Sequence, residues 1–174
     1  MSDNNSSNQL LSVDDISSSA IKDIFSRALE FKSKGFSNSN IYKLGYENAP
    51  VVGLAFFEPS TRTKLSFDSA AQRIGCKTIG FDDPASTSSA KGEQLVDTIR
   101  AIEKYCDAIV IRRKEFGTID IIRDNVTKPI VSAGVGAYEH PTQGLLDVFT
   151  ISQHRDLSSI KNIVSYGDLI NSRV

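Results

Sequence analysis

The sequence predicts an α/β fold, a parallel sheet flanked by helices. Two observations carry this. Val51-Val52-Gly53-Leu54-Ala55-Phe56-Phe57 is a continuous apolar run with β-branched and aromatic residues, which is how a strand buried on both faces reads. Further short apolar runs alternate along the chain with amphipathic helical stretches, the pattern of βαβ units joined by right-handed crossovers. A chain of 174 residues is one domain, or one and a fraction. It is long enough to bury a sizeable core.

The elements follow in order. Residues 1–9 are polar, rich in Asn and Ser, and read as a disordered tail. Ser17 reads as the N-cap of a helix that runs to about Lys34, with Ile21, Ile24, Phe25, Ala28 and Leu29 on its apolar face. The Val51–Phe57 strand leads into a Leu65–Arg73 helix that Gly75 ends. Cys76–Phe81 is a short strand, and Asp82–Ala90 a loop with Pro84 and four hydroxyls. A Gly92–Tyr105 helix carries Leu95, Ile99 and Ile102 on one face. Asp107–Ile111 is a strand followed by Arg112-Arg113, and Ile119–Asp124 is a short helix. Pro129–Ser132 is a strand, Ala133–His140 a glycine-containing loop, Thr142–His154 a helix and Asn162–Tyr166 a further strand. No internal repeat is present. The elements give a tail over 1–9 and a domain over 10–160.

Composition excludes several function classes. A net charge of −1 gives no general case for nucleic acid or an anionic membrane as partner. No stretch is apolar enough to span a bilayer, and Met1–Leu10 lacks the apolar core of a signal peptide. Two cysteines, Cys76 and Cys106, fit a reduced cytoplasmic protein better than a disulfide framework. Neither has a nearby His or a second Cys at metal-ligand spacing, so no metal site is expected. There is no P-loop, and Gly134-x-Gly136 is too weak for a dinucleotide fingerprint.

The informative junction is Glu58-Pro59-Ser60-Thr61-Arg62-Thr63-Lys64, directly after the first long strand. It places Ser60, Thr61, Arg62 and Thr63 at the amino end of a helix, where free N–H groups and the helix dipole attract an anion. Their hydroxyls add donors, and Arg62 adds a planar fork suited to phosphate oxygens. The plainer reading is a Ser/Thr N-cap beside a solvated Arg. Ligands of open parallel sheets bind beyond the carboxyl ends of the strands. There the later strands deliver Ser86-Thr87-Ser88-Ser89 with Lys91, then Arg112, then His140 and Gln143. This set suits a small, doubly charged anion with a carbonyl to polarise. Taken singly, Arg112-Arg113 reads as a solvated pair after an edge strand, and His140 as a helix-start residue.

Phe56-Phe57-Glu58-Pro59-Ser60-Thr61-Arg62-Thr63-x-x-Ser66-Phe67 closely resembles the carbamoyl-phosphate motif of the aspartate and ornithine carbamoyltransferases. Lys91-Gly92-Glu93 with Asp97-Thr98, then Arg112, then His140-Pro141-Thr142-Gln143-x-Leu145-Leu146-Asp147, repeat that family's further motifs in order. Gly167-Asp168-Leu169-x-Asn171-Ser172-Arg173-Val174 resembles the strand that opens its second domain, so the resemblance implies that 161–174 begin an aspartate-binding domain. Within the family the chain resembles the aspartate branch. Ornithine enzymes typically carry Lys at the place of Glu58, Arg at that of Lys64 and Leu-Ala-Asp at that of Leu145-Leu146-Asp147, and they lack the Lys91-Gly92-Glu93 form.

The resemblance implies the carbamoyltransferase N-terminal domain as fold. It implies transfer of a carbamoyl group from carbamoyl phosphate to the amino group of L-aspartate, for pyrimidine biosynthesis, with no cofactor and no metal. By matching position, Ser60, Thr61, Arg62 and Thr63 bind phosphate. Thr63, Arg112 and His140 face the carbonyl oxygen, and Gln143 the carbamoyl amino group. The family's loop serine falls on Thr87, with Ser86 and Ser88 beside it. In the family that loop, with Lys91, reaches a neighbouring subunit's site, so the resemblance implies a homotrimer with shared sites and is compatible with regulatory chains. Glu58 and Arg173 would sit at the seam with the second domain, Arg173 towards aspartate. Family chains are about twice this long, so most aspartate contacts are expected to lie outside this chain. An ornithine-type carbamoyltransferase and a non-catalytic phosphate-binding or assembly module are the alternative readings.

Overall fold

The computed structural model describes residues 9–35, 48–81, 95–115 and 117–159. Its centre is a five-stranded, all-parallel sheet of β1 (Gln9–Leu10), β2 (Val51–Phe56), β3 (Lys77–Phe81), β4 (Ala108–Arg113) and β5 (Ile130–Val135), in the spatial order β1-β5-β4-β2-β3. The helices are α1 (Ser18–Lys34), α2 (Thr61–Arg73), α3 (Leu95–Glu103), α4 (Thr118–Asn125) and α5 (Pro141–Ser152).

The continuous apolar runs are explained by burial on both faces. Strand side chains alternate between faces with a period of two. On one face Ala55, Ile109, Ile111 and Ile130 pack with Ile99 of α3 and Ile122 of α4. On the other, Leu54, Phe56, Val110 and Ala133 pack with Phe67 of α2. Pairing of Phe56 with Arg112 continues the second face to the carboxyl end of β4. Arg112 therefore lies on the side of the sheet that α2 covers.

Several element boundaries move. Ser17 does cap α1, accepting from Ala20 N–H. Gln9, placed in the tail by the sequence, is the first residue of β1 and pairs with Ile130. The helix after β2 begins at Thr61, four residues before Leu65, because the polar first turn is helical although it carries no apolar periodicity. Arg112 and Arg113 belong to β4 itself, and β4 is interior, between β5 and β2. Arg113 lies 4.9 Å over the Phe57 ring, so the pair is not a solvated end of an edge strand. β5 continues through Val135, into the stretch read as a loop.

That extension contains an irregularity. Ile111 pairs with Ser132, but Arg113 pairs with Val135. β5 thus spends one residue more than β4 over this interval, the signature of a β-bulge. Gly134, within it, has φ +112°, a backbone conformation that favours glycine. The Asp82–Ala90 loop, the start of the Gly92–Tyr105 helix, the Asn162–Tyr166 strand and the first eight residues lie outside the described residues.

Candidate active site

From β2 the chain passes through α2 to β3 on one side, and then returns to β4 on the other side of β2. The crevice between the carboxyl ends of β2 and β4 is therefore the topological switch point, where open α/β sheets bind ligands. The Ser60–Thr63 turn follows β2 into this crevice. Ser60 occupies the N-cap position of α2 but makes no side-chain cap bond, and the first turn holds no acidic residue. Its N–H groups and positive dipole end are left for an anion. Thr63 stands one turn before Phe67, so it shares the face of α2 that packs on the sheet, whereas Arg62 is exposed.

Arg112 is fixed from three directions. Its Nε donates to Glu58 Oε1 at 2.6 Å, its Nη1 donates to Ala133 O at 3.0 Å, and Thr63 Oγ1 lies 3.5 Å from that same Nη1. The Arg112 and Glu58 side chains are only 18% and 19% exposed, so the ion pair is sheltered from solvent and salt far more than a surface pair. It holds the guanidinium plane at the mouth of β4.

His140 enters at the N-cap of α5, and Pro141 supplies the first helical residue, a position that has no N–H to satisfy. Gln143 N–H points at His140 Nδ1 at 3.4 Å, and Thr142 Oγ1 lies 3.3 Å from the same nitrogen. A backbone N–H can only donate, so Nδ1 is the acceptor and the neutral ring carries its proton on Nε2. Burial first, and then the positive Arg112, hold His140 below the ordinary histidine value of 6.5. The ring is thus a neutral Nε2–H donor near pH 7. A Cβ on Gly134 would stand 3.1 Å from Arg112 Nη1 and 3.1 Å from His140 Cδ2. Only a residue without a side chain lets these two groups flank the same point. Two charge-bearing or polar donors, Arg112 and His140, with the Thr63 hydroxyl beside them, can stabilise negative charge growing on a carbonyl oxygen.

Residues 8–153 match the family model of the aspartate/ornithine carbamoyltransferase, carbamoyl-P binding domain. The chain belongs to the aspartate/ornithine carbamoyltransferase family. It is 40% identical over 161 residues to the aspartate carbamoyltransferase catalytic subunit of Methanocella arvoryzae, covering 92% of this chain and 51% of that protein. It is 47% identical over 126 residues to the corresponding subunit of Halorubrum lacusprofundi, covering 70% and 40%. Among solved structures it resembles Trypanosoma cruzi aspartate transcarbamoylase in complex with carbamoyl phosphate, with TM-score 0.75 and 33% identity over 84% of this chain and 47% of that one. The catalytic subunit of M. jannaschii aspartate transcarbamoylase gives TM-score 0.72 and 37% identity with the same coverage. The chain spans about half the length of the curated relatives it matches.

In this carbamoyltransferase domain Thr63 touches Arg112, Arg112 and His140 both flank Gly134, and Ser60, Thr61 and Arg62 stand at the amino end of α2. Gln143 stands in the first turn of α5, and its Nε2 donates to Asp147 Oδ1 at 3.0 Å. Thr87, Lys91 and Arg173 lie outside the described residues. Three participants were missed by sequence reasoning. Glu58, read as a seam residue, is the ion-pair partner of Arg112. Gly134, dismissed with its Gly-x-Gly spacing, supplies clearance. Ala133 offers a carbonyl that no side-chain chemistry advertises. Of these, only Glu58 carried a signal in its side chain, a carboxylate able to pair with a guanidinium. Among the described residues no group of three or more His, Cys, Asp or Glu could hold a metal ion, and no helix is long and apolar enough to cross a membrane.

Proposed function

We propose that this chain is the carbamoyl-phosphate half of an aspartate carbamoyltransferase. The observation that carries the reading is the bracketing of one point by Arg112 Nη1 and the His140 ring, beside Thr63 and the open amino end of α2. The Ser60–Thr63 turn and Arg62 hold the phosphate. Thr63, Arg112 and His140 Nε2–H point at the carbonyl oxygen. Asp147 occupies Gln143 Nε2, which leaves Gln143 Oε1 to accept from the carbamoyl amino group. The α-amino nitrogen of L-aspartate attacks the carbonyl carbon and forms a C–N bond, the bond from that carbon to the bridging phosphate oxygen breaks, and the amine's proton passes to the departing phosphate. The donors bind most strongly when the oxygen carries its transient charge, which is the condition for acceleration.

Glu58 favours aspartate over ornithine chemistry, because a lysine at this position would replace the ion pair with Arg112 by two like charges. The sequence resemblance assigns Thr87 and Lys91 to a neighbour's site in a homotrimer and Arg173 to the aspartate side. Two buried free thiols, Cys76 and Cys106, support a cytoplasmic setting. The test is an NMR titration of the 174-residue chain with carbamoyl phosphate. Shifts concentrated at Ser60–Thr63, Arg112 and His140 are expected. No change there at millimolar ligand would sink the reading.

A further inference from the structure

We propose that Glu139 is a positioning residue, whose carboxylate fastens the N-terminal turn to the loop carrying His140 and so fixes the imidazole beside Gly134. The proposal rests on the reading of His140 as a carbonyl-facing donor.

The turn in question, Val13–Asp15, is itself rigid. Leu11 just before it is fully buried. The Asp15 carboxylate accepts from the N–H groups of Leu11 and Ser12 at 2.8 and 2.9 Å and pairs with Arg123 of α4 at 3.0 Å. Across 126 residues of sequence, Val13 N–H donates to Glu139 Oε1 at 2.7 Å, and Ser12 Oγ donates to the same oxygen at 3.0 Å. An ionised acceptor makes these stronger than ordinary bonds. On its other side, Glu139 is held by its own carbonyl, which accepts from Val135 N–H at 2.9 Å at the end of β5. The next residue is His140. Val13 Cγ1 also stands 3.9 Å from where a Cβ on Gly144 would lie, so the same turn abuts the first turn of α5.

His140 needs such support. Its two ring hydrogen bonds, at 3.3 and 3.4 Å, are long and correspondingly weak. They do not by themselves hold the ring, so its orientation depends on where the backbone of residues 139 and 140 is placed. Glu139 touches none of the groups that would meet the substrate. It acts through its neighbour, by tying the His140 backbone to a turn anchored in the core and in α4. Among the described residues, the charged groups facing His140 are Arg112 from β4, itself paired with Glu58, and Asp147 from α5.

The sequence has two histidines, so imidazole nitrogen NMR of the 174-residue chain yields two ring patterns, with exposed His154 as an internal control. Three variants separate the possibilities. Glu139→Ala removes the carboxylate. Glu139→Gln keeps an acceptor oxygen. Val13→Pro removes the shorter of the two far-side donors and leaves Ser12 Oγ; Ser12 has φ −135° and ψ 161°, which suits a residue before proline, and Val13 opens the turn, where proline is tolerated.

In Glu139→Ala and Val13→Pro the His140 midpoint should rise towards 6.5, and its single tautomer should give way to a mixture. Carbamoyl phosphate binding should weaken about tenfold, the scale of one lost hydrogen bond. Glu139→Gln should behave nearly as the parent, and His154 should not respond. An unchanged His140 in Glu139→Ala and Val13→Pro would overturn the proposal, as would equal movement of His154, which marks general loosening. Should Glu139→Ala fail to fold, Val13→Pro decides. A parent chain that does not bind carbamoyl phosphate, while His140 responds as described, would overturn the functional reading and uphold the positioning role.

Discussion

Arg62 and Arg112 are the same residue type in two environments. Arg62 is exposed in the first turn of α2, where its worth depends on a ligand. Arg112 is largely enclosed and bonded to Glu58, Thr63 and Ala133. Arg62→Lys keeps the charge and loses the planar fork. It should weaken carbamoyl phosphate binding about 10- to 100-fold, the loss of one charge-assisted bond, with an unchanged melting temperature; calorimetry on the two chains checks both. Gly134→Ala differs in kind. Its positive φ imposes backbone strain, on the order of 1–3 kcal/mol, and its methyl group would press on Arg112 Nη1 and His140 Cδ2 at 3.1 Å. Both a lower urea midpoint and lost ligand shifts at Arg112 and His140 are expected. Residue identity made Arg62, Thr63, Arg112 and His140 legible as a site, because each carries its chemistry in its side chain. Gly134 and Ala133 act through the absence of a side chain and through a carbonyl, which a one-dimensional reading cannot distinguish from filler.

At the scale of elements, α2 and α5 present opposite amino ends to the crevice. α5 is closed by the His140 ring, whereas Ser60 leaves α2 without a side-chain cap. Ser60→Ala should therefore shift ligand-free stability by no more than about 0.5 kcal/mol, as for an ordinary surface change. Inorganic phosphate should stabilise the parent chain by about 2.7 kcal/mol at a hundredfold excess over its dissociation constant, and sodium chloride should erode that gain. Thermal melts with and without phosphate measure each effect. A melting temperature indifferent to phosphate would mean that the open helix end takes no anion. Strand and helix types were readable from periodicity over most of the described chain. Their limits were less so. β1 has two residues, one of them polar, and gains its identity only from pairing with β5. β4 runs on into Arg112-Arg113 because the sheet, not local apolarity, defines its end.

For the molecule as a whole, the shifted carboxyls and His140 favour neutral pH over acid, while burial holds the Cys76 and Cys106 thiols above their ordinary 9.0 and favours neutral pH over alkali. Burial would raise the carboxyls of Asp15 and Glu103. Arg123 and the N–H groups of Ser12 and Leu11 outweigh it for Asp15, and the hydroxyl and N–H of Thr127 with the N–H of Lys128 do so for Glu103, so both sit below their ordinary 3.8 and 4.5. The unfolded chain then binds more protons in acid, and stability present above those values is lost as pH falls through the folded ones. His140 adds a separate step of the same sign. Its folded value lies below 6.5, so the unfolded state protonates first and stability declines as pH drops below about 6.5. The urea midpoint should be flat near neutrality, decline above about 8.5 as the thiols of the unfolded chain ionise, dip below about 6.5 and fall more steeply below about 4.5. Replacement of His140 by Gln should remove the first dip alone. A parallel α/β sheet was evident from alternating runs. The strand order was not, because pairing across the sheet leaves no local trace.

The extra residue in β5 is a choice between two uses of one stretch of chain. A β5 matched to β4 residue for residue through Val135 would be a more regular ladder. It would also lose the point where the sheet parts company with its own symmetry, and with it the carbonyl of Ala133 and the clearance at Gly134 that Arg112 and His140 require. Selection for a firmer fold and selection for a working crevice pull this segment in opposite directions. Consensus or computational stabilisation aimed at ordinary sheet regularity would improve the scaffold here by erasing what it was built to hold.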